Sequence, residues 1–242
     1  MHLVRHVSHA AMIGSAIVAF STNPGATAPR REEHSRAAAA KAIDALDRCV
    51  QDRFIRIDKG FGVSRVSLAM HNTRVFVPVN ESENRVVRDF ETLGMRVILY
   101  VVSRQQPRFP FGASRIPPLV QGPVLVSPTP QVVTRSPAGA PFEVRTDPQF
   151  LHGLPDAADL RAQGVQALNE SGVSDSRAFE IGEWSFVARP VRASAPACLS
   201  CHNGRGANGD TRSSADEAPD AFRLGDPLGA VLYGYQMGAG IP

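Results

Sequence analysis

The chain has 242 residues, 43% of them hydrophobic, which suits one domain of ordinary size with a core of its own. The formal charge is only +3, and the basic residues, nearly all Arg, are scattered without a cluster. The high isoelectric point therefore reflects a small excess of Arg rather than a basic face, and no nucleic-acid partner is expected.

At the N-terminus, Arg5 and three histidines lead into a short apolar run from Ala10 to Phe20, and Ala26-Thr27-Ala28 offers a small-x-small cleavage site. Residues 1–28 read as a secretory signal, with the mature chain beginning near Pro29. An apolar stretch of about 11 residues falls short of the roughly 20 that span a bilayer. No stable membrane span is expected after cleavage; left uncleaved, the same segment would act as an anchor. Export places residues 29–242 in the periplasm as one domain.

From Arg31 to about Ile57 the spacing predicts a long helix, with Glu32 and Glu33 early and Arg53 and Arg56 late, as the helix dipole prefers. Ile43, Leu46, Val50, Phe54 and Ile57 form its apolar stripe. Cys49 stands on the flank of that stripe, in a row with Ala38, Ala42 and Ala45. A flank of such small residues would let a flat group come close.

Val63 to Met70 and Thr73 to Val79 read as strands around His71-Asn72, with Pro78 suited to an edge or a strand end. A short helix over Asn84 to Thr92, stopped by Gly94, precedes the strongly β-prone run Met95 to Ser103. Residues 106–141 hold nine of the 19 prolines and read as an irregular surface insertion with short extended pieces such as Val124-Leu125-Val126. Asp156 to Ser171 predicts a second short helix, opened by Pro155-Asp156 and closed by Gly172. Phe179 to Ala193 returns to β character, Ala207 to Phe222 reads as a mobile loop, and a turn at Leu224 to Gly229 precedes a last strand from Ala230 to Met237. No internal repeat is present.

The chemistry concentrates in Cys198-Leu199-Ser200-Cys201-His202. Cys-x-x-Cys-His is the spacing at which two thiols add across the two vinyl groups of a haem, Cys198 and Cys201 forming the thioethers. The adjacent His202 imidazole then serves as the proximal iron ligand. Two other readings compete. A structural zinc site needs four Cys or His ligands, and the chain has only one further cysteine. A thioredoxin-like Cys-x-x-Cys is expected between a strand and a helix, whereas a Gly-rich stretch, Asn203-Gly204-Arg205-Gly206, follows here. Export agrees with one covalent haem c.

Three stretches occur together: Ala188-Arg189-Pro190-Val191, then Ala197 to Gly204 around the motif, then Leu224-Gly225-Asp226-Pro227-Leu228-Gly229-Ala230 before the final strand. This combination resembles the bacterial periplasmic single-haem c-type sensor domains with a PAS-like fold. The resemblance covers about residues 180–236 and the Cys-bearing first helix. It implies an α+β fold, a PAS-like antiparallel sheet with a long N-terminal helix, here carrying a Pro-rich insertion. It implies a redox or gas-sensing role, with a diatomic gas as a ligand and a redox or signalling protein as partner, since the chain has no transmitter domain. It also implies that the iron is held by His202 and by a cysteine of the first helix, a position that Cys49 matches.

A c-type electron carrier with His/Met ligation is the alternative, with Met237 as the distal ligand. His71 and His152 read as surface or turn histidines, Met70, Met95 and, failing ligation, Met237 as core fillers, and Trp184, Phe186, Tyr233 and Tyr235 as sheet packing, with some of the four expected to line the haem pocket. Arg53 and Arg56 are read as a solvated helix end in preference to partners for haem propionates. Nothing resembles a hydrolytic triad, a phosphate loop or paired carboxylates, so any enzyme action would have to come from the haem.

Overall fold

The apolar stripe of the first helix covers one face of a seven-stranded sheet. The computed structural model describes residues 28–56, 62–70, 73–104, 118–126, 132–134, 143–145, 153–172, 175–203 and 221–237. Residues 1–27, most of the expected signal, lie outside them, as do His71, His152 and Ile57. Among the described residues no helix is long and apolar enough to cross a membrane.

Helix α1 runs Ala28–Ile55. Ile43, Leu46 and Val50 of the expected stripe are fully buried, and Phe54 packs partly buried on the same cluster. Burial of each such side chain contributes about 1.5–3 kcal/mol. Arg53 is not part of a solvated helix end. It is buried at 8% exposure and holds Glu83 through Nε and a terminal nitrogen at 3.0 and 2.6 Å. It also donates to the Val66 and Val77 carbonyls at 2.9 and 2.6 Å.

Those bonds explain why the first two strands are shorter than their sequences suggest. Val63 to Ser67 forms a 3-10 turn, Gly62–Arg65, rather than strand. Val63 and Val66 are both buried, three apart, and the Ser67 N–H and hydroxyl both donate to the Val63 carbonyl, at 3.0 and 2.9 Å. Gly62 enters this turn with φ +51°, a left-handed conformation that favours glycine. Strands β1 (Leu68–Met70) and β2 (Thr73–Val75) follow as an antiparallel pair. After Phe76, the Val77 carbonyl is taken by Arg53 and the Val79 N–H by Glu83, so backbone groups that could extend β2 bond elsewhere.

Helix α2 is Glu81–Thr92, three residues longer at its start than expected. The cause is Asn80, whose Oδ1 accepts from the Glu83 N–H at 2.9 Å as an N-cap. Gly94 stops the helix, as expected, with φ +61°. Strand β3, Met95–Ser103, has the expected bounds and lies at the middle of the sheet.

Two expectations are corrected here. The Pro-rich stretch is not wholly an irregular excursion. It supplies β4 (Val120–Leu125), which pairs with β3 and buries Val124, Leu125 and Val126, and β5 (Val132–Thr134), which pairs with β6 (Glu143–Arg145) in a separate ladder. The sheet is also mixed rather than antiparallel, because β2 pairs with β4 in parallel. Strand β4 inserts between β3 and β2 and runs opposite to β3, which leaves β2 alongside it in the same direction.

Helix α3, Ala157–Glu170, is capped by Asp156 as expected and packs on the opposite face of the sheet from α1 and α2. Alternate residues of β3 divide between the two faces: Val97, Leu99 and Val101 towards α1, and Ile98, Tyr100 and Val102 towards α3. A hairpin of β7 (Arg177–Ile181) and β8 (Trp184–Arg192) completes one edge, and β9 (Pro227–Met237) joins it to β3. Between β8 and β9 stands α4, Pro196–His202. The architecture is α+β.

Candidate functional site

Cys-x-x-Cys-His lies in α4, a helix of seven residues opened by Pro196. Backbone bonds between the strand ends fix its place: the Ala193 N–H donates to Asp226 and the Gly225 N–H to Ala193, both at 2.9 Å. Helical spacing brings positions 198, 201 and 202 to one side of α4. Cys198 and His202, one turn apart, both line a cavity of about 560 Å³. That volume falls within the roughly 300–1,000 Å³ of small-ligand and cofactor sites.

Phe54 and Ile55 of α1, Val101 of β3, Val191 of β8 and Leu228 of β9 supply apolar wall. The polar lining includes Gln51, Gln121, Arg65 and Arg192. Arg192 donates to the Ser171 and Gly225 carbonyls at 2.6 and 3.1 Å and pairs with Asp175 at 3.2 Å, while Arg65 donates to the Phe54 carbonyl. Burial, and then the charge of Arg65, lower the pKa of His202 and favour its neutral imidazole. The neutral form is the one that ligates a metal.

The imidazole meets the ring of Phe222 edge-on, with centroids 5.9 Å apart and planes at 90°. Phe222 is in turn held by the buried side chain of Asn203. Phe222 was expected at the end of a mobile loop, yet it is buried at 8% exposure; residues 207–220 of that loop lie outside the described residues.

Cys49 does not join this group. Gln51, Phe54 and Ile55 present one flank of α1 to the cavity. At about 100° per residue, Cys49 stands roughly 160° around the helix axis from Gln51. It packs, partly buried, on the cluster that α1 and α2 share. Burial raises its pKa, with Glu83 and then Asp52 adding to the effect.

Met237 is also distant. It ends β9 opposite Met95, whereas Gly229, which lines the cavity, pairs with Ser103 at the other end of the ladder. Eight residue steps along the strand separate 229 from 237, about 26 Å. Met237 is 37% exposed and fills no core gap; Met95, at 2%, does. Trp184, Phe186 and Tyr233 are buried sheet packing, as expected, but neither they nor Tyr235 line the cavity, and Arg56 is exposed.

No protein-family model, curated protein or solved structure matches the chain. Among the described residues no group of three or more His, Cys, Asp or Glu side chains is placed to hold a metal ion. Sequence reasoning missed Arg65, Arg192, Asn203 and Phe222. Only Asn203 carried a signal, an amide beside the motif histidine where a Gly-rich turn was expected.

Proposed function

We propose that this chain is an exported covalent-haem protein, attached through Cys198 and Cys201 with His202 as the proximal iron ligand, and that it acts as a PAS-like redox or gas-sensing module. The observation that carries the reading is that Cys198 and His202 face, one helical turn apart, into a largely apolar-walled cavity of cofactor size. The neutral state favoured for His202 suits ligation, and Arg65 and Arg192 offer positive charge for carboxylates at the cavity wall. The α+β architecture with a long N-terminal helix against the sheet fits the resemblance of the motif region. Helix α3 on the second face and the parallel β2–β4 pair depart from it.

Bound haem would supply a redox-active iron with room for a small ligand. The chain's own part is to fix one axial nitrogen, exclude water with the walls of α1, β3 and β9, and present hydrogen-bond donors. Among the described lining residues, Gln51, Gln121, Ser103 and Ser194 are donors of this kind, while Cys198 is committed to a thioether and His202 is the strong iron ligand. That lining favours a sensor of diatomic gas over a His/Met electron carrier, whose sulfur would have to come from the far end of β9. A signal would pass to a protein partner.

The test is expression in a host with a competent periplasmic c-haem maturation system. Haem staining should survive denaturing electrophoresis, and Cys198→Ala or Cys201→Ala should leave one thioether and much less holoprotein. A colourless wild-type product would sink the reading. The ferrous form should bind carbon monoxide; a positive potential without gas binding would favour the carrier. Ligation by Cys49 needs α1 to turn about its axis, so Cys49→Ala should leave the ferric absorption and electron paramagnetic resonance spectra unchanged. A lost thiolate signature would instead establish that α1 rotates when the cofactor is loaded.

A further inference from the structure

Beside the motif histidine, one side chain is bonded at both ends of its amide. Asn203, 8% exposed, donates from Nδ2 to the Phe222 carbonyl at 3.0 Å and accepts at Oδ1 from the Phe222 N–H at 2.8 Å. Two opposed bonds between one amide and the peptide groups of one residue reproduce an antiparallel bridge, and they fix the backbone of Phe222, which carries the ring. The Asn203 N–H donates to the Leu199 carbonyl at 2.8 Å, so the clamp is built onto the last turn of α4. Phe222 sits in a small apolar cluster with Ala193 and Leu228, against which Cys198 and Leu199 pack. Its ring meets two partners: the His202 imidazole stands perpendicular to it with centroids 5.9 Å apart, and the Arg104 guanidinium lies over it at 5.7 Å.

An imidazole turns about a broad, roughly two-fold torsion, and packing alone leaves it several orientations. Metal-bound histidines are ordinarily oriented by an outer hydrogen bond on the second ring nitrogen. Here the perpendicular Phe222 ring supplies the restraint, and the amide of the next residue holds the backbone that carries it.

We propose that Asn203 is the positioning residue of His202, acting through Phe222 to set the rotation of the imidazole. The consequence for an iron ligand rests on the haem reading above; the restraint on the ring does not. Asn203→Ala removes both bonds and leaves two buried peptide groups of Phe222 without partners, which releases the ring. Phe222→Leu removes the aromatic ring while leaving the amide bridge in place. Asn203→Asp keeps the acceptor for the Phe222 N–H and loses the donor.

Two measurements on the full chain separate the restraint from its consequence. In the haem-free protein, amide exchange at Phe222 should rise about tenfold in Asn203→Ala and less in Asn203→Asp. The His202 ring should pass from one sharp set of proton–carbon signals to broadened ones in both Asn203→Ala and Phe222→Leu. In the haem-loaded protein, the same two variants should share a changed rhombicity in ferric electron paramagnetic resonance and a shifted reduction potential. Should the alanine variant fail to accumulate, Phe222→Leu decides. Sharp wild-type ring signals with unchanged rhombicity in either variant overturn the proposal. If the wild type takes up no haem, the ring signals and amide exchange of the haem-free protein still decide whether Asn203 positions His202.

Discussion

Arg53 shows how a side chain can close a fold locally. Its guanidinium joins α1 to the 3-10 turn through Val66, to the end of β2 through Val77, and to α2 through Glu83, and it lies 4.2 Å from the centre of the Phe76 ring. Arginine suits this task because its planar fork serves several acceptors at once. With side-chain exposures of 10% and 5%, the Arg53–Glu83 pair is shielded from the screening that weakens surface pairs. Breaking such a pair leaves an uncompensated buried carboxylate, so Arg53→Ala should cost about 3–5 kcal/mol. Chemical denaturation checks this, and a loss below about 1 kcal/mol would show that water reaches Glu83 and replaces the guanidinium. The sequence shows Arg53 as the basic residue that a helix C-terminus prefers, which is a solvated role. Its partners lie 13, 24 and 30 residues away, and no local pattern marks them. The motif cysteines and His202 are different, since fixed local spacing carries their chemistry whatever the fold.

At the scale of elements, caps and turns were the legible part. Asp156, Gly94 and the edges of β3 act where their residue types say they should, because each depends on a few neighbouring dihedrals. Strand β4 was hidden because two of its features, Gly122 and Pro123, ordinarily speak against a central strand. The packing of α3 was likewise not written locally. Gly164 occupies the middle of this helix, where glycine costs about 1 kcal/mol relative to alanine. A Cβ there would stand 2.7 Å from Val102 Cγ2 and 2.9 Å from Val102 Cβ, closer than real contacts allow. Helix propensity alone forecasts that Gly164→Ala stabilises the protein. Overpacking of about 1–3 kcal/mol outweighs that gain, so the substitution should be destabilising. Val102→Ala removes the Cγ contacts and keeps only the Cβ one, so Gly164→Ala with Val102→Ala should lose less than the two single changes added together. Strict additivity in that thermal or chemical denaturation cycle would mean that α3 rides further from β3.

For the whole molecule, the order β1-β2-β4-β3-β9-β8-β7 follows from pairings across long stretches of chain, and hydropathy has no access to them. What the sequence does carry is that β3 and β9 are apolar on both sides, which requires cover on both faces of the sheet. Two tyrosines of this central pair report on that cover. Burial pushes the Tyr100 hydroxyl up to about 12, and it raises fully buried Tyr233 well above its ordinary value, with neighbouring Asp47 adding to the shift. Tyr233 donates to Asp47 Oδ1 at 2.8 Å and so ties β9 to α1, while Tyr100 packs in the cluster beneath α3. A phenol whose folded pKa is raised binds its proton more tightly in the native state than in the unfolded chain, where it ionises near 10. The stability it contributes is therefore fully present below about pH 10 and is lost as the pH rises towards the folded value of about 12. Denaturant midpoints should fall steeply through this window, and phenolate absorbance from these two residues should appear with unfolding rather than before it. Tyr100→Phe removes one of the two protons and should make the fall shallower. A fall of unchanged slope in that variant, or early phenolate absorbance from the native state, would mean that the sheet face beneath α3 is open to water.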